Sequence, residues 1–222
     1  SGEALAGEKK TGINSEAVGE ICDRIKKISE KGIELGVVVG GGNFWRGRDS
    51  HDIERTTSDY IGMMATVMNA LAVRDSLETR GVDAVVLSAL EMNTIAESYT
   101  KRKMEEYLKQ GKVVIFSAGT GHPCFSTDTC AALRAAEMNA EAILVAKTID
   151  GVYSADPKVD STAIKYDTIS YDEVLNKNLR VMDLASTVIC KENNIPLVVF
   201  SIYDRDNIVK AAEGETIGTL VK

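Results

Sequence analysis

Val37-Val38-Val39-Gly40-Gly41-Gly42-Asn43-Phe44-Trp45-Arg46-Gly47 is the stretch from which the fold of this chain is read. Three β-branched residues in succession mark the end of a buried strand. Three glycines then remove every Cβ where the chain leaves the sheet. Glycine admits φ > 0 and lets a ligand come close to the backbone amides. Successive N–H groups in such a turn form a concavity that binds anions. Arg46 follows, with a fixed fork of donors suited to phosphate oxygens. Strand, glycine turn and arginine together predict a phosphate site; a tight turn with a surface arginine is the plainer alternative.

Composition limits what this site can serve. At 222 residues, 44% hydrophobic and 27% charged, the chain fits one large α/β domain, or at most two small ones. A chain of this size buries roughly 70–75% of its unfolded surface and needs no staples. Its net charge of −7 argues against a nucleic-acid groove, which needs a basic footprint. No apolar run approaches the ~18 residues of a membrane span, and no signal peptide is visible. The four cysteines, Cys22, Cys124, Cys130 and Cys190, form no C-x-x-C pair, and only His51 and His122 are at hand to join them in a zinc site. Reduced thiols in a cytoplasm are expected.

The sequence opens at Ser1-Gly2-Glu3-Ala4-Leu5, no leader is expected, and a loop is expected over 6–12. Val18, Ile21, Cys22, Ile25 and Ile28 fall on one face of a helix over about 15–31, capped by Asn14 or Ser15 and closed by Gly32. A strand over 33–39 delivers the glycine turn. A long helix over about 58–79 has an expected buried stripe of Ile61, Met64, Ala65, Met68, Leu71 and Ala72. Met63, Met64 and Met68 read as core or subunit packing. Asp59 stands at the predicted start of this helix, where the dipole stabilises a carboxylate; a role in holding a ligand hydroxyl is equally open. A strand over 82–87, a helix over 100–110 and a strand over 112–117 follow. That last strand empties into a second dense run, Ala118-Gly119-Thr120-Gly121-His122-Pro123-Cys124-Phe125-Ser126-Thr127-Asp128. A helix from Asp128 adds free N–H groups to the same region.

A strand over 142–146 leads into the polar and aromatic loop 147–157, either an Asp-Gly hairpin or a ligand loop. Helices near 171–176 and 183–192, a strand over 197–201, a helix near 206–212 and a strand over 219–221 complete the chain. Strands alternate with helices, so the expected fold is a three-layer α/β/α sandwich around a mainly parallel sheet. Ligands of such sheets sit beyond the carboxyl ends of the strands, and all three loop clusters are expected at that edge.

Familiar nucleotide motifs are absent. There is no G-x-x-x-x-G-K-[ST], neither glycine run continues into G-x-G-x-x-G, there is no G-x-S-x-G elbow, and the two histidines form no triad pattern. Two glycine-rich anion turns, Arg46 and a later adenine-sized loop suit two phosphorylated ligands brought tail to tail. Phosphoryl transfer asks a protein mostly for positioning and charge cancellation. Two unit charges about 5 Å apart repel by roughly 3 kcal/mol at an effective dielectric of 20. Local amides, Arg46, a metal ion and a lysine must offset this.

These residues also carry a resemblance. Ser1 to Leu5, Gly40-Gly41-Gly42-Asn43-x-x-Arg46-Gly47, Asp59 with Gly62-Met63, Ala65-Thr66-x-Met68-Asn69, Ser117 to Gly121, Thr127-Asp128, Asp150-Gly151-Val152-Tyr153, Ala155-Asp156-Pro157 and Val181-Met182-Asp183-Leu184 together resemble the bacterial uridylate (UMP) kinases of the amino acid kinase family, which are unrelated to the P-loop monophosphate kinases. The likeness runs in order along essentially the whole chain. Its Val-Met-Asp-Leu and Ala-Gly-Thr-Gly segments set it apart from acetylglutamate, carbamate and aspartate kinases.

The resemblance implies the reaction ATP + UMP → ADP + UDP, with Mg²⁺ accompanying ATP. It implies that Ser1, Gly2, Gly42 and Arg46 face ATP phosphates and that Tyr153 and Asp156 hold the adenosine. Gly41, Asp59 and the run Thr120, Gly121, His122, Pro123, Cys124, Phe125, Ser126 and Thr127 would hold UMP, with Asp59 on the ribose hydroxyls. Asp128 and Asp183 match acidic positions that organise the site. No residue is assigned as a metal ligand. The family further implies a cytoplasmic homohexamer, activated by GTP and inhibited by UTP.

Three departures accompany this likeness. The family's first strand ends in Lys-Leu-Ser-Gly, whereas this sequence starts at Ser1. Its lysine and strand are expected either upstream in the natural chain or not at all. Lys147 stands on the ATP side where Thr or Asn is common, within reach of phosphate or ribose. Glu141 replaces a common Asp, a neutral exchange. Beside UMP kinase two other functions stand: another amino acid kinase acting on a carboxylate or carbamate, and a nucleotide sensor that has lost turnover.

Overall fold

The computed structural model describes residues 2–47, 52–179, 181–204 and 206–222. The chain divides into two compact units, residues 1–130 and 131–222.

The first unit opens with a helical turn, α1 (Glu3–Ala6), and a 3-10 turn over Gly7–Lys9, where the sequence predicts a loop. Leu5 and Ala6 explain the difference: both are buried, and their apolar surface draws the segment into the core. Next come α2 (Ser15–Ser29), β1 (Gly36–Val38), α3 (Arg55–Glu78), β2 (Ala84–Ser88), β3 (Glu97–Ser98), α4 (Lys101–Lys109), β4 (Val113–Ser117) and α5 (Thr127–Met138), within which the division falls. Asn14 caps α2 as expected, its Oδ1 accepting the Ala17 N–H at 3.0 Å. The strands lie in the order β1-β4-β2-β3, every pair parallel.

All five residues of β4 are buried. Val113 and Ile115 join Leu5, Val18, Cys22, Ile25, Val73 and Leu77 in one cluster. Phe116, alternating to the other face, meets Tyr99 edge-on at 5.9 Å. This two-sided burial is why 113–117 reads as an unbroken apolar run.

Helix α3 departs from expectation in start and in register. It begins at Arg55, because Glu54 serves as its cap and accepts the Thr57 N–H at 2.9 Å. Hydrogen bonds from the Thr56 hydroxyl and the Thr57 amide push the Glu54 carboxyl down to about 2. Asp59 therefore lies beyond the first turn, where the dipole acts weakly. Met63, Val67, Ala70, Val73 and Leu77 are buried, whereas Met64 and Met68 are 44% and 45% exposed. Apolar periodicity misplaces the stripe because the inner face also carries Ser58, Thr66 and Asn69, all buried.

The second unit holds β5 (Ile143–Lys147), β6 (Val152–Tyr153), β7 (Lys165–Tyr166), β8 (Thr168–Ile169), α6 (Tyr171–Asn176), α7 (Leu184–Glu192), β9 (Leu197–Ser201), α8 (Asn207–Ala212) and β10 (Thr219–Val221). Its four-stranded sheet runs β5-β9-β10-β8, parallel except between β9 and β10. The stretch 147–157 is not all loop, since β6 pairs antiparallel with β7. The mainly parallel α/β architecture expected from the sequence thus holds in each unit. All four cysteines are free thiols, three of them buried and Cys124 exposed. Burial pushes the Cys190 thiol up to about 11. His51 lies outside the described residues, and among those described no helix is long and apolar enough to cross a membrane.

One buried bridge fixes the glycine turn to α3. Asn43 Nδ2 donates to Asn69 Oδ1 at 2.9 Å, and Asn69 Nδ2 returns a bond to Asn43 Oδ1 at 2.7 Å. The same nitrogens donate to Gly12 O at 2.7 Å and to Gly40 O at 2.8 Å. A buried polar group left without a partner costs about 1–3 kcal/mol. Asn69→Leu, which takes the Asn69 donor from Asn43 Oδ1 and from the Gly40 carbonyl, is expected to lower unfolding stability by at least about 2 kcal/mol on this scale. Chemical denaturation measures it, and an unchanged midpoint contradicts the assignment.

Candidate active site

The loops that follow β1 and β4 leave the carboxyl ends of two directly paired parallel strands, with Val38 opposite Phe116. In the first loop Gly41 is needed for close approach. None of Gly40, Gly41 and Gly42 has positive φ, so the conformational freedom of glycine is not used here. A Cβ on Gly41 would lie 2.6 Å from the Gly62 carbonyl oxygen and 2.8 Å from the Ala65 Cβ. One on Gly2 would lie 2.4 Å from the Gly40 oxygen. The turn thus presses against α3 on one side and the start of α1 on the other.

Arg46 leaves this turn with its guanidinium on the Glu3 carboxylate, both side chains about half exposed. Its Nε lies 3.8 Å from the place a Gly42 Cβ would take, and Glu3 Oε1 lies 3.4 Å from it. A carboxylate already rests in the fork that the sequence assigns to phosphate oxygens. Trp45 Nε1 donates to Ser58 Oγ at 2.9 Å and anchors the exit of the turn on α3. Ser1 lies outside the described residues.

The second loop does use left-handed backbone: φ is 60° at Ala118, 57° at Gly119, 80° at Gly121 and 72° at Cys124. Alternation of this kind directs amides into a concavity. Gly121 N–H closes the turn on Ala118 O at 2.9 Å. Thr120 Oγ1 accepts from His122 N–H at 3.3 Å, and Ser126 Oγ caps α5 by accepting from Thr129 N–H at 3.1 Å. His122, Cys124, Phe125 and Ser126 are exposed, while Thr120, Pro123, Thr127 and Asp128 are half-buried. Thr127 Oγ1 lies 3.2 Å from the place a Gly40 Cβ would take, so the end of the second loop meets the start of the first turn.

Asp59 joins the two loops. Its Oδ2 accepts the Cys124 N–H at 2.8 Å, Arg55 Nε reaches both carboxylate oxygens at 3.1 and 3.0 Å, and a Cβ on Gly47 would lie 2.8 Å from Oδ1. The first unit therefore brings together Gly2, Gly41, Gly42, Arg46, Asp59, residues 120–127 and Asp128.

The second unit holds a cleft of about 440 Å³ lined by Lys147, Tyr153, Asp156, Lys158, Lys177 and Val181, among others. That volume suits a small organic ligand. Of the residues assigned to ATP, the three in this unit, Lys147, Tyr153 and Asp156, all line it. Lys147 Nζ donates to the Val181 carbonyl, which turns this lysine toward the segment preceding Asp183. Tyr153 OH donates to Asp150 Oδ1 at 2.7 Å and Lys165 Nζ to Asp150 Oδ2 at 2.9 Å. Lys165 and then Tyr153 hold the Asp150 carboxyl below its ordinary range. A depressed carboxyl contributes above its unfolded pKa and loses that contribution as pH falls through the folded one, so the clasp is intact at neutral pH. Asp156 Oδ1 accepts the Lys158 N–H at 2.9 Å in a local turn. Asp183 caps α7, its Oδ1 accepting the Ser186 N–H at 2.8 Å.

Sequence reasoning passed over Glu3, Arg55, Ser58, Thr66 and Asn69 as holders of the site. One signal was present: polar residues recur at 58, 59, 66 and 69 within the largely apolar stretch 58–73 of the helix. Lys177, which sits in the cleft with its Nζ 5.2 Å from the Tyr166 ring centre, gave no signal of its own.

With this geometry in place, comparison with known proteins gives a consistent result. The amino acid kinase family model matches residues 1–201. The chain is similar to the crystal structure of UMP kinase from Ureaplasma parvum, at 37% identity and a TM-score of 0.94, over 100% of this chain and 95% of the other. It is similar to UMP kinase from Bacillus anthracis at 35% identity and a TM-score of 0.96, over 100% and 92%. Uridylate kinase from Archaeoglobus fulgidus matches at 30% identity and a TM-score of 0.74, over 94% of each chain. Parallel strands ending in paired glycine loops, and a match that spans nearly the whole sequence, place this chain in the amino acid kinase family.

Proposed function

We propose that the protein is a UMP kinase, which transfers the γ-phosphoryl group of ATP to UMP and gives UDP and ADP. The observation that carries this reading is the pair of glycine-rich loops at the ends of adjacent strands β1 and β4, with Arg46 on one and Asp59 tied to the other. The similarity to UMP kinases over the whole chain supports it.

In this reading a UMP phosphate oxygen forms a bond to the γ-phosphorus while the bond from that phosphorus to the bridging oxygen of ADP breaks. A phosphomonoester has a second pKa near ~6 and is mostly dianionic at neutral pH, so the nucleophile needs little help from a base. The work is positioning and charge cancellation. Arg46 exchanges Glu3 for ATP phosphate oxygens, the Gly119 and Thr120 amides hold the UMP phosphate, and Asp59 accepts from the ribose hydroxyls. Lys147, Tyr153 and Asp156 receive the adenosine side in the cleft. Among the described residues no group of three His, Cys, Asp or Glu side chains gathers to hold a metal. Mg²⁺ accompanying ATP would be held mainly by nucleotide phosphates, and Asp128 and Asp183 keep their roles as acidic groups that organise the site, each in its own unit. When bound, Mg²⁺ neutralises phosphate charge. We further assign the two units to one kinase domain that works in the cytoplasm as a homo-oligomer, a hexamer, answering to GTP as activator and UTP as inhibitor.

Three outcomes are expected. The full natural chain forms UDP from UMP and ATP, measured by product chromatography; phosphorylation of a carboxylate in place of UMP, or nucleotide binding without UDP, overturns the reading. Cys124 is the one exposed thiol of the four, so a thiol reagent labels it first, and UMP at ten times its Kd slows that labelling about tenfold. Labelling that is indifferent to UMP removes residues 120–127 from the UMP site. Asn caps a helix about as well as Asp, so Asp183→Asn keeps the melting temperature while turnover drops by about 10²-fold, the range for losing one preorganised electrostatic group. Unchanged turnover leaves Asp183 as a cap alone.

A further inference from the structure

We infer that Thr66 is a positioning residue for phosphoryl transfer, setting the shape of the second glycine turn from inside α3. This rests on the reading of that turn as part of the UMP site. Thr66 is 7% exposed. Its hydroxyl donates to Met63 O at 2.7 Å within the helix, and its oxygen accepts the Ala118 N–H at 2.8 Å. The back-bond commits the hydroxyl proton, so the oxygen faces Ala118 in a fixed sense.

Ala118 needs such a holder. It is fully buried, carries a Cβ and yet stands at φ 60°, a conformation that persists in non-glycine residues only where the surroundings impose it. It is also the hinge of the turn, since β4 ends one residue before it and its carbonyl accepts the Gly121 N–H at 2.9 Å. The directions of the Gly119, Thr120 and Gly121 amides follow from the conformation at Ala118. Three residues along the same helix, Asn69 holds Gly40 O. One rigid element therefore fixes both turns, and the distance between the phosphates they present is written into α3.

The test compares Thr66→Val, which keeps the shape and loses the acceptor, with Thr66→Ser, which keeps the hydroxyl. Expected for the valine variant is a rise of about tenfold in KM for UMP with a lowered kcat, as for one buried hydrogen bond lost at a site. Its KM for ATP stays within about twofold of wild type, and the serine variant stays near wild type on every constant. Hydrogen exchange at the Ala118 amide accelerates in the valine variant alone. Wild-type kinetics in Thr66→Val, or equal rises in both KM values, overturn the inference. Thr66→Cys, whose sulfur is a weak acceptor, carries the comparison if the valine variant does not fold. A wild-type chain that makes no UDP sinks the UMP reading instead; unchanged Ala118 exchange in the valine variant sinks the positioning role whatever the substrate.

Discussion

The reciprocal amide bridge between Asn43 and Asn69 is the constraint on which the rest of the first unit depends. Both side chains are buried, so every donor and acceptor they carry must find a partner inside the protein. The two amides satisfy each other and then reach Gly12 and Gly40. A network of this kind tolerates little displacement, because a partly satisfied one costs more than an apolar core. It therefore ties α3 to the glycine turn in one arrangement. Thr66 and Ser58 extend the same polar face to the second turn and to Trp45.

The two turns reach similar ends by different backbone means. Gly40 to Gly42 stay in ordinary conformations, and Gly41 is glycine because α3 lies too close for any side chain. The 118–124 loop is left-handed at four positions, two of which are not glycine. Left-handed backbone in a residue with a Cβ is held by its surroundings, and here the holders are side chains on α3: Thr66 for Ala118 and Asp59 for Cys124.

Charge in this region is paired before any ligand arrives. Arg46 rests on Glu3, and Asp59 on Arg55. Pairs with exposed members contribute little to stability. Their value is orientation, since each leaves a charged group aimed and partly desolvated. In a chain of net charge −7, anionic ligands must be met by such local arrangements. Backbone amides serve the same end without adding charge.

Much of the architecture was legible in the sequence. The buried run 113–117, the Asn14 cap and the alternation of strands with helices gave the α/β class. The glycine runs marked both loops, because strand ends and missing Cβ atoms leave a local signature. What the chain did not announce was anything decided by a partner distant in sequence. The register of α3 was misread because Thr66 and Asn69 are polar by composition and buried by context. Gly41 looked like a turn residue, and only the nearness of Gly62 made it a contact residue. Val152–Tyr153 looked like loop until Lys165–Tyr166 supplied its pairing strand. Local propensity and periodicity are written along the chain, so the sequence by itself determined most of the longer helices and strands and marked the two glycine loops. Hydrogen bonds across tens of residues, such as Asn43 to Asn69 and Thr66 to Ala118, exist only after folding, so tertiary structure alone decided how the site is held.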